Sequence, residues 1–421
     1  MMRLIYNIGI RLYIAIIWLV SPFNRKARLW ISGRKGWYRK LKSKVDSDGR
    51  YIWVHCASLG EFEQGRPVIE AIKKKAAENK IIVTFFSPSG YEIRKNYGLA
   101  DIICYMPSDS RRNAERFIDL VRPEKVIFIK YEYWYNYITV LAERQIPLYI
   151  ISAIFRKNHY FFRWYGGFFR SLLNKIAGFY VQDHQSADVL SEAGLNNITI
   201  AGDTRFDRVI ELTEKARNID EISLFRGSEK LVVAGSTWKG DEKIIARYIN
   251  NFPDRIKWVI APHEPESVNI ERLEKLLKVG SLRFSRFSGQ ASNARVMIID
   301  NIGMLSSIYR YAYITVVGGG FGRGIHNVLE PACWGKPVLF GPNHGKFREA
   351  VELISGGGAK AFTDYDDFRE SLDSWLSDEA SYNRAAGFAG EYVRKNSGAT
   401  AAIMEKIFFS DQNKVINNPG S

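Results

Sequence analysis

The sequence is poor in the residues that build disulfide frameworks and metal centres. Its three cysteines, Cys56, Cys104 and Cys333, lie far apart with no Cys-x-x-Cys, which argues against structural zinc or paired disulfides and for a reducing compartment. Six scattered histidines without His-Glu-x-x-His, and no Gly-x-x-x-x-Gly-Lys-Ser/Thr, remove the main supports for a metalloprotease or a P-loop NTPase. The glycine-rich run from Val317 to Pro331 does not satisfy Gly-x-Gly-x-x-Gly, lies late in the chain and has no strand-ending acid at the expected distance, so a dehydrogenase-type dinucleotide fold is disfavoured. No short repeat or low-complexity tract is evident.

What is present is a folded globular chain, with 46% apolar and 25% charged residues over 421 positions, long enough for two domains of ~150 to 200 residues. Sixty Lys and Arg against 45 Asp and Glu leave a net charge of +15, which implies an anionic partner: nucleic acid, a phospholipid surface or a phosphorylated substrate.

The charge is concentrated near the amino terminus. Leu4 to Val20 is apolar apart from Asn7 and Arg11, at the lower limit of length for crossing a bilayer. Ser21-Pro22-Phe23-Asn24-Arg25 does not resemble a cleavage site, so the segment is expected to stay. Arg25 to Lys44 then carries nine Lys and Arg and no acid, with Trp30, Trp37 and Tyr38 interleaved. That combination predicts attachment to the cytoplasmic face of a membrane through residues 1–22. The competing reading is a buried helix followed by a solvated loop. No nucleic-acid-binding signature accompanies the charges. A second aromatic and basic stretch, His159 to Lys175, suits either a lipid-facing segment or an amphipathic core helix.

Downstream, apolar β-rich runs alternate with helical segments. The first set is 51–56, 80–86, 101–106, 125–130, 147–152 and 178–182; a second set is 231–236, 257–262, 295–300, 313–320 and 336–342. Near-continuous apolar strands separated by helices predict parallel sheets and two successive doubly wound α/β domains, with ligands beyond the carboxyl ends of the strands in a cleft between them.

Candidate chemistry falls at those strand ends. After the first strand, His55-Cys56-Ala57-Ser58-Leu59-Gly60-Glu61 leads into a helix, which leaves free N–H groups at a Gly turn and puts Glu61 in the first helical turn, suited to a general base. A first-turn Glu also commonly only compensates the helix dipole. Glu132, among aromatics directly after the strand 125–130, must be paired or functional. In the second half, Gly235-Ser236-Thr237-Trp238 ends a strand and Asp241-Glu242 opens a helix. The glycines of 318–324 permit close backbone approach to a phosphate, and Glu330, one helical turn after His326 and Asn327, is placed to hold ribose hydroxyls.

Taken in order, these segments resemble the 3-deoxy-D-manno-octulosonic acid (Kdo) transferase family, membrane-associated enzymes that add Kdo to the lipid A precursor of Gram-negative bacteria. HCASLGE (55–61) matches the family's Ser-x-Gly-Glu, YMPSDS (105–110) its Leu-Pro-x-Asp, EYWYN (132–136) its Glu-Leu-Trp-Pro-Asn and GDTRFD (202–207) its Gly-Asn-x-Lys-Phe-Asp. TFFSPSG (84–90), GSTWKGDE (235–242), DNIGML (300–305), GGGFGRGIHNVLEPA (318–332) and GPNHGKF (341–347) follow in the family's sequence. Two segments depart from the pattern: Pro-Arg-His-Pro-Glu-Arg becomes Pro262-His263-Glu264-Pro265-Glu266-Ser267, and Gly-Gly-His-Asn-Pro-Leu-Glu becomes Gly324-Ile325-His326-Asn327-Val328-Leu329-Glu330.

The resemblance implies a GT-B architecture, with a membrane-associated helix over 1–22, an acceptor domain over 23–208, a linker over 209–229, a donor domain over 230–389 and a terminal helix over 390–412 returning to the first domain. It implies metal-independent, inverting transfer from CMP-Kdo, consumed as a substrate with no cofactor, to the anionic lipid A precursor at the cytoplasmic face of the inner membrane. Phospholipid would be a partner and nucleic acid would not. Glu61 and Glu132 would be catalytic. Arg205, Ser236, Thr237, Pro262, His263, Gly320, Gly324, His326, Asn327 and Glu330 would bind the donor; Ser58, Gly60 and Arg66 would bind the acceptor. The rival readings are a GT-B transferase using another nucleotide sugar and a non-catalytic membrane-surface protein.

Overall fold

The computed structural model describes residues 2–289 and 293–409. The chain divides into two compact units, Met1–Arg208 with the segment from Ser397 onward, and Val209–Asn396. The first holds β1 (Tyr51–Cys56), β2 (Lys80–Phe85), β3 (Ile102–Tyr105), β4 (Pro123–Ile129), β5 (Leu148–Ala153), β6 (Gly178–Val181) and β7 (Ile198–Ile200), in the spatial order β3-β2-β1-β4-β5-β6-β7. The second holds β8 (Leu231–Thr237), β9 (Lys257–Pro262), β10 (Ser281–Arg283), β11 (Val296–Ile298), β12 (Ile314–Val317), β13 (Val338–Phe340) and β14 (Ala359–Ala361), in the order β10-β11-β9-β8-β12-β13-β14. All pairings are parallel. Each unit is therefore a doubly wound, Rossmann-like α/β layer.

Strand order reverses once in each sheet, between β1 and β4 and between β8 and β12. At such a point the loops leaving neighbouring strands diverge to opposite faces and open a crevice beyond their carboxyl ends. The strands are buried on both faces: in β1, Trp53 joins the cluster with Phe117, Phe128 and Tyr137, whereas Ile52, Val54 and Cys56 join the opposite one with Val68, Ile69 and Ile72. Each such aliphatic or aromatic side chain contributes about 1.5–3 kcal/mol when fully buried.

Three short strands, β7, β10 and β14, have no counterpart among the apolar runs of the sequence. They lie at or near sheet edges, where three residues suffice and no continuous apolar stretch is needed. The segment expected as a linker, 209–229, instead gives Ile219, Ile222 and Phe225 to the core of the second unit. The terminal helix expected over 390–412 is interrupted. Glu379–Lys395 ends the second unit, and Ala399–Met404 restarts in the first after Gly398, which takes a left-handed φ of 106°. The Asp207 carboxylate accepts the N–H groups of Gly398 and Thr400 at 2.6 Å, and Ile403, Met404 and Ile407 enter the β1 core. Residues 410–412 lie outside the described residues.

At the amino terminus, α1 (Met2–Val20) is long and apolar enough to cross a membrane and has no buried residue. Two short helices follow, α2 (Arg25–Arg34) and α3 (Trp37–Lys42). Of the nine basic residues in this stretch, Arg34 does not face outward. Its guanidinium is buried 3.8 Å over the Trp30 ring and donates to the carbonyls of Trp30, Phe86 and Met106. The stretch His159–Lys175 is not one amphipathic helix but a 3-10 turn, Tyr160–Phe162, and a helix, Gly167–Leu173, with Trp164 92% exposed between them.

Candidate active site

In the first unit, the loop leaving β1 passes through Ala57 into α4 (Leu59–Lys75), with Ser58 in extended conformation at the N-cap and no capping bond from its hydroxyl. Gly60 is exposed, and a Cβ built there would meet open space. Glu61, in the first turn, folds back so that its carboxylate accepts the Ala57 N–H. Burial pushes this carboxyl up to about 7 and the charge of Glu132 adds to the effect, while the Ala57 and Ser58 N–H groups and Lys130 oppose it. A partly exposed carboxyl that titrates near neutrality is poised to take a proton.

Glu132, just past β4, is buried and paired. Its Oε2 accepts from Trp134 Nε1 at 2.6 Å and lies 3.1 Å from His55 Nε2. His55 Nδ1 is 2.8 Å from Thr84 Oγ1, which accepts from Trp53 Nε1 at 2.7 Å. The Trp53 indole donates to Thr84, and the His55 ring bridges Thr84 and Glu132. Glu132 is thus held in place between the His55 ring and the Trp134 indole. At the end of β4, Lys130 takes a left-handed φ of 68°, a strain of about 1–3 kcal/mol for a non-glycine residue.

The other expected residues of this unit are engaged locally. Arg66 pairs with Glu70 at 2.6 Å along α4. Arg205 holds Asp203 through Nε and its terminal nitrogen, both 2.8 Å from Oδ2. Burial works against the Asp203 charge, but Arg205 holds it below the usual range. His55 and Asp203 carry no signal beyond position in the motifs, because His55 meets Glu132 across 77 residues and Asp203 meets Gln64 across 139.

In the second unit, Ser236 at the end of β8 is again left-handed, with φ 53°. Trp238 follows, and its indole N–H donates to His326 Nε2 at 2.9 Å, while His263 stacks on both rings, 4.8 Å from Trp238 and 4.2 Å from His326. Burial, with His263 adding, pushes His326 down to about 4, so it stands neutral as the acceptor of that bond. The sequence named both histidines but not Trp238. Pro262 closes β9, and the His263 N–H donates to the Thr237 carbonyl.

The glycine loop is drawn against these residues by backbone contact. A Cβ on Gly318 would lie 2.4 Å from the Ser236 carbonyl oxygen, and one on Gly320 2.5 Å from the Gly341 Cα, so neither position admits a side chain. Fully buried Asp241 accepts the N–H groups of Trp238 and Gly319, tying the helix Lys239–Asn251 to the loop. Thr237 is buried with its hydroxyl donating to Glu242. Gly324 continues the loop at φ 140°. The helix after the glycine loop begins at Leu329 and runs to Cys333. Asn327 stays outside it, accepts the Leu329 N–H and donates to Glu330 at 3.0 Å.

Residues 31–208, the β1 to β7 region with both carboxylates, match the family described as 3-deoxy-D-manno-octulosonic-acid transferase (kdotransferase). A 3-deoxy-D-manno-octulosonic acid transferase of Haemophilus influenzae is 25% identical over 411 residues, covering 94% of this chain and 95% of its own. That of Aquifex aeolicus is 26% identical over 314 residues, 73% and 80% of the two chains. By these matches the chain is similar to Kdo transferases along most of its length. That similarity supports a glycosyltransferase activity of this chain in lipopolysaccharide synthesis. Its fold is the GT-B type, shared with the UDP-GlcNAc 2-epimerase of Neisseria meningitidis at a TM-score of 0.59 and 16% identity over 85% of this chain and 99% of that one. A calicheamicin glycosyltransferase aligns at 0.54 and 13% identity over 85% and 98%. Among the described residues of this chain, no group of three or more His, Cys, Asp and Glu is placed to hold a metal ion.

Proposed function

We propose that this chain is a Kdo transferase that moves Kdo from CMP-Kdo to the diphosphorylated, acylated disaccharide lipid IVA with inversion at the anomeric carbon. Glu61 takes the proton from an acceptor hydroxyl as its oxygen attacks, the bond from the anomeric carbon to the phosphate oxygen breaks, and CMP leaves. General-base assistance of this kind typically contributes ~10²–10⁴-fold. The observation that carries the reading is the partly exposed Glu61 carboxyl held near 7 beside the paired anion Glu132 at the switch point of the first sheet.

CMP-Kdo is assigned to the second unit, its phosphate on the glycine loop and its ribose on Glu330, with the Trp238, His263 and His326 rings beside it. Arg205 serves the Kdo carboxylate, and Ser58, Gly60 and Arg66 serve the acceptor. Transfer runs without a metal or cofactor: a monophosphate leaving group carries less charge than a diphosphate, and fixed N–H groups stabilise its departure. The exposed apolar surface of α1 and the basic stretch after it support attachment to the cytoplasmic face of the inner membrane. Incubating purified enzyme with lipid IVA and CMP-Kdo, beside UDP-sugar controls, tests the assignment. Transfer from a UDP-sugar but not CMP-Kdo would overturn it.

A further inference from the structure

The apolar helix α1 carries polar residues whose partners lie deep in the acceptor unit. The Tyr6 hydroxyl donates to Asp109 Oδ2 at 2.6 Å and accepts the Tyr135 N–H at 3.3 Å, and Asn7 Oδ1 accepts from Asn136 Nδ2 at 3.0 Å. Asp109 is 2% exposed, and its two oxygens also take the N–H groups of Asn136 and Tyr137, which open the helix Tyr135–Glu143. Trp134, at the N-cap of that helix, offers no capping side chain, so Asp109 does the capping from 27 residues away.

Two aromatic contacts extend the same seam. Tyr6 lies 5.4 Å from Tyr135 between ring centroids, and Tyr13 stacks on Phe86, which lies 4.8 Å from Trp134. Trp134 in turn donates to Glu132, the charge felt at Glu61. Leu4, Ile5, Ile8, Leu12, Ile16 and Leu19 are left exposed on α1. A helix that served only as an anchor has no need of Tyr6 and Asn7, whose polar groups disfavour a hydrocarbon environment unless paired.

We propose that α1 is a working part of the acceptor site: Tyr6, through Asp109 and the Tyr135 N–H, fixes the segment Glu132–Asn136, which makes Tyr6 and Asp109 positioning residues for transfer in addition to any role of α1 in membrane attachment. The kinetic part rests on the reading of Glu61 and Glu132 as acceptor-site carboxylates. The structural part does not.

The test uses full-length Tyr6→Phe, Asp109→Asn and the double variant. Tyr6→Phe keeps the length and apolar character of α1 and removes only the hydroxyl. Amide exchange of a peptide spanning 131–137 should quicken at least ~10-fold in Tyr6→Phe, while peptides of the second unit and sedimentation with vesicles stay as in wild type. With CMP-Kdo and lipid IVA in detergent micelles, kcat should fall about 5- to 30-fold at near-constant CMP affinity. The double variant should be no slower than the slower single one, because the two residues act as one unit. Unchanged exchange overturns the proposal, and so does quickened exchange with wild-type kcat or with losses that add. If wild-type enzyme transfers no Kdo, the proposed function fails, and the exchange comparison still decides whether α1 fixes the segment.

Discussion

His55 Nε2 lies 3.1 Å from Glu132 Oε2, and both side chains are buried. Glu132, whose charge adds to the effect of burial on Glu61, is thus a carboxylate held in place by the His55 ring and the Trp134 indole N–H. Two neighbouring strands across the switch point thus bring together a carboxyl raised by burial and a second carboxylate whose charge adds to the effect.

Glu61→Gln should lower kcat by at least ~10²-fold with CMP affinity unchanged. The wild-type rate should rise with pH through about 7, as the base deprotonates. The same titration affects stability with a definite sign. The folded carboxyl at about 7 lies above its ordinary 4.5, so the contribution of its proton is fully present below 4.5 and lost as pH rises through 7. Melting temperatures should thus show Glu61→Gln gaining on wild type between pH 5 and pH 8.

Glu132→Gln removes the charge and keeps an oxygen for Trp134. Loss of a neighbouring negative charge moves the acid limb of kcat/KM to lower pH. His55→Phe leaves Glu132 buried without its imidazole and should cost about 1–3 kcal/mol, read by denaturant unfolding. A limb that stays in place in Glu132→Gln separates the two carboxylates.

Glu330→Ala should weaken CMP binding by roughly 1–3 kcal/mol, measured by calorimetry, as for loss of a charged hydrogen-bonding group. It also releases the Asn327 amide, which now donates to Glu330.

Arg34→Ala should destabilise the first unit by about 2–4 kcal/mol, since three buried carbonyls lose their donor and the Trp30 ring its cation. A change within 0.5 kcal/mol, the range typical of surface sites, would place Arg34 with the other eight basic residues on the exterior.

Removing residues 2–22 should abolish salt-resistant attachment to anionic vesicles, leaving weak, salt-sensitive binding through the basic stretch at about 1 kcal/mol per cation near the surface. Sedimentation at low and high salt reads both forms. CMP binding, assigned to the other unit, should survive.

The sequence determined the layer architecture, because a parallel strand covered on both faces must be apolar at nearly every position, and runs such as Tyr51–Cys56 and Leu231–Ser236 declare themselves. It also placed Glu61 and the glycine loop, since turn and helix-start chemistry is local. Tertiary structure alone decided which distant groups complete each site. Glu132 meets His55 across 77 residues, Trp238 meets His326 across 88, and Asp109 meets Tyr6 across 103. No periodicity records such pairs. They follow from which strand ends the parallel winding brings side by side, and from the requirement that a buried carboxylate find donors wherever the fold presents them.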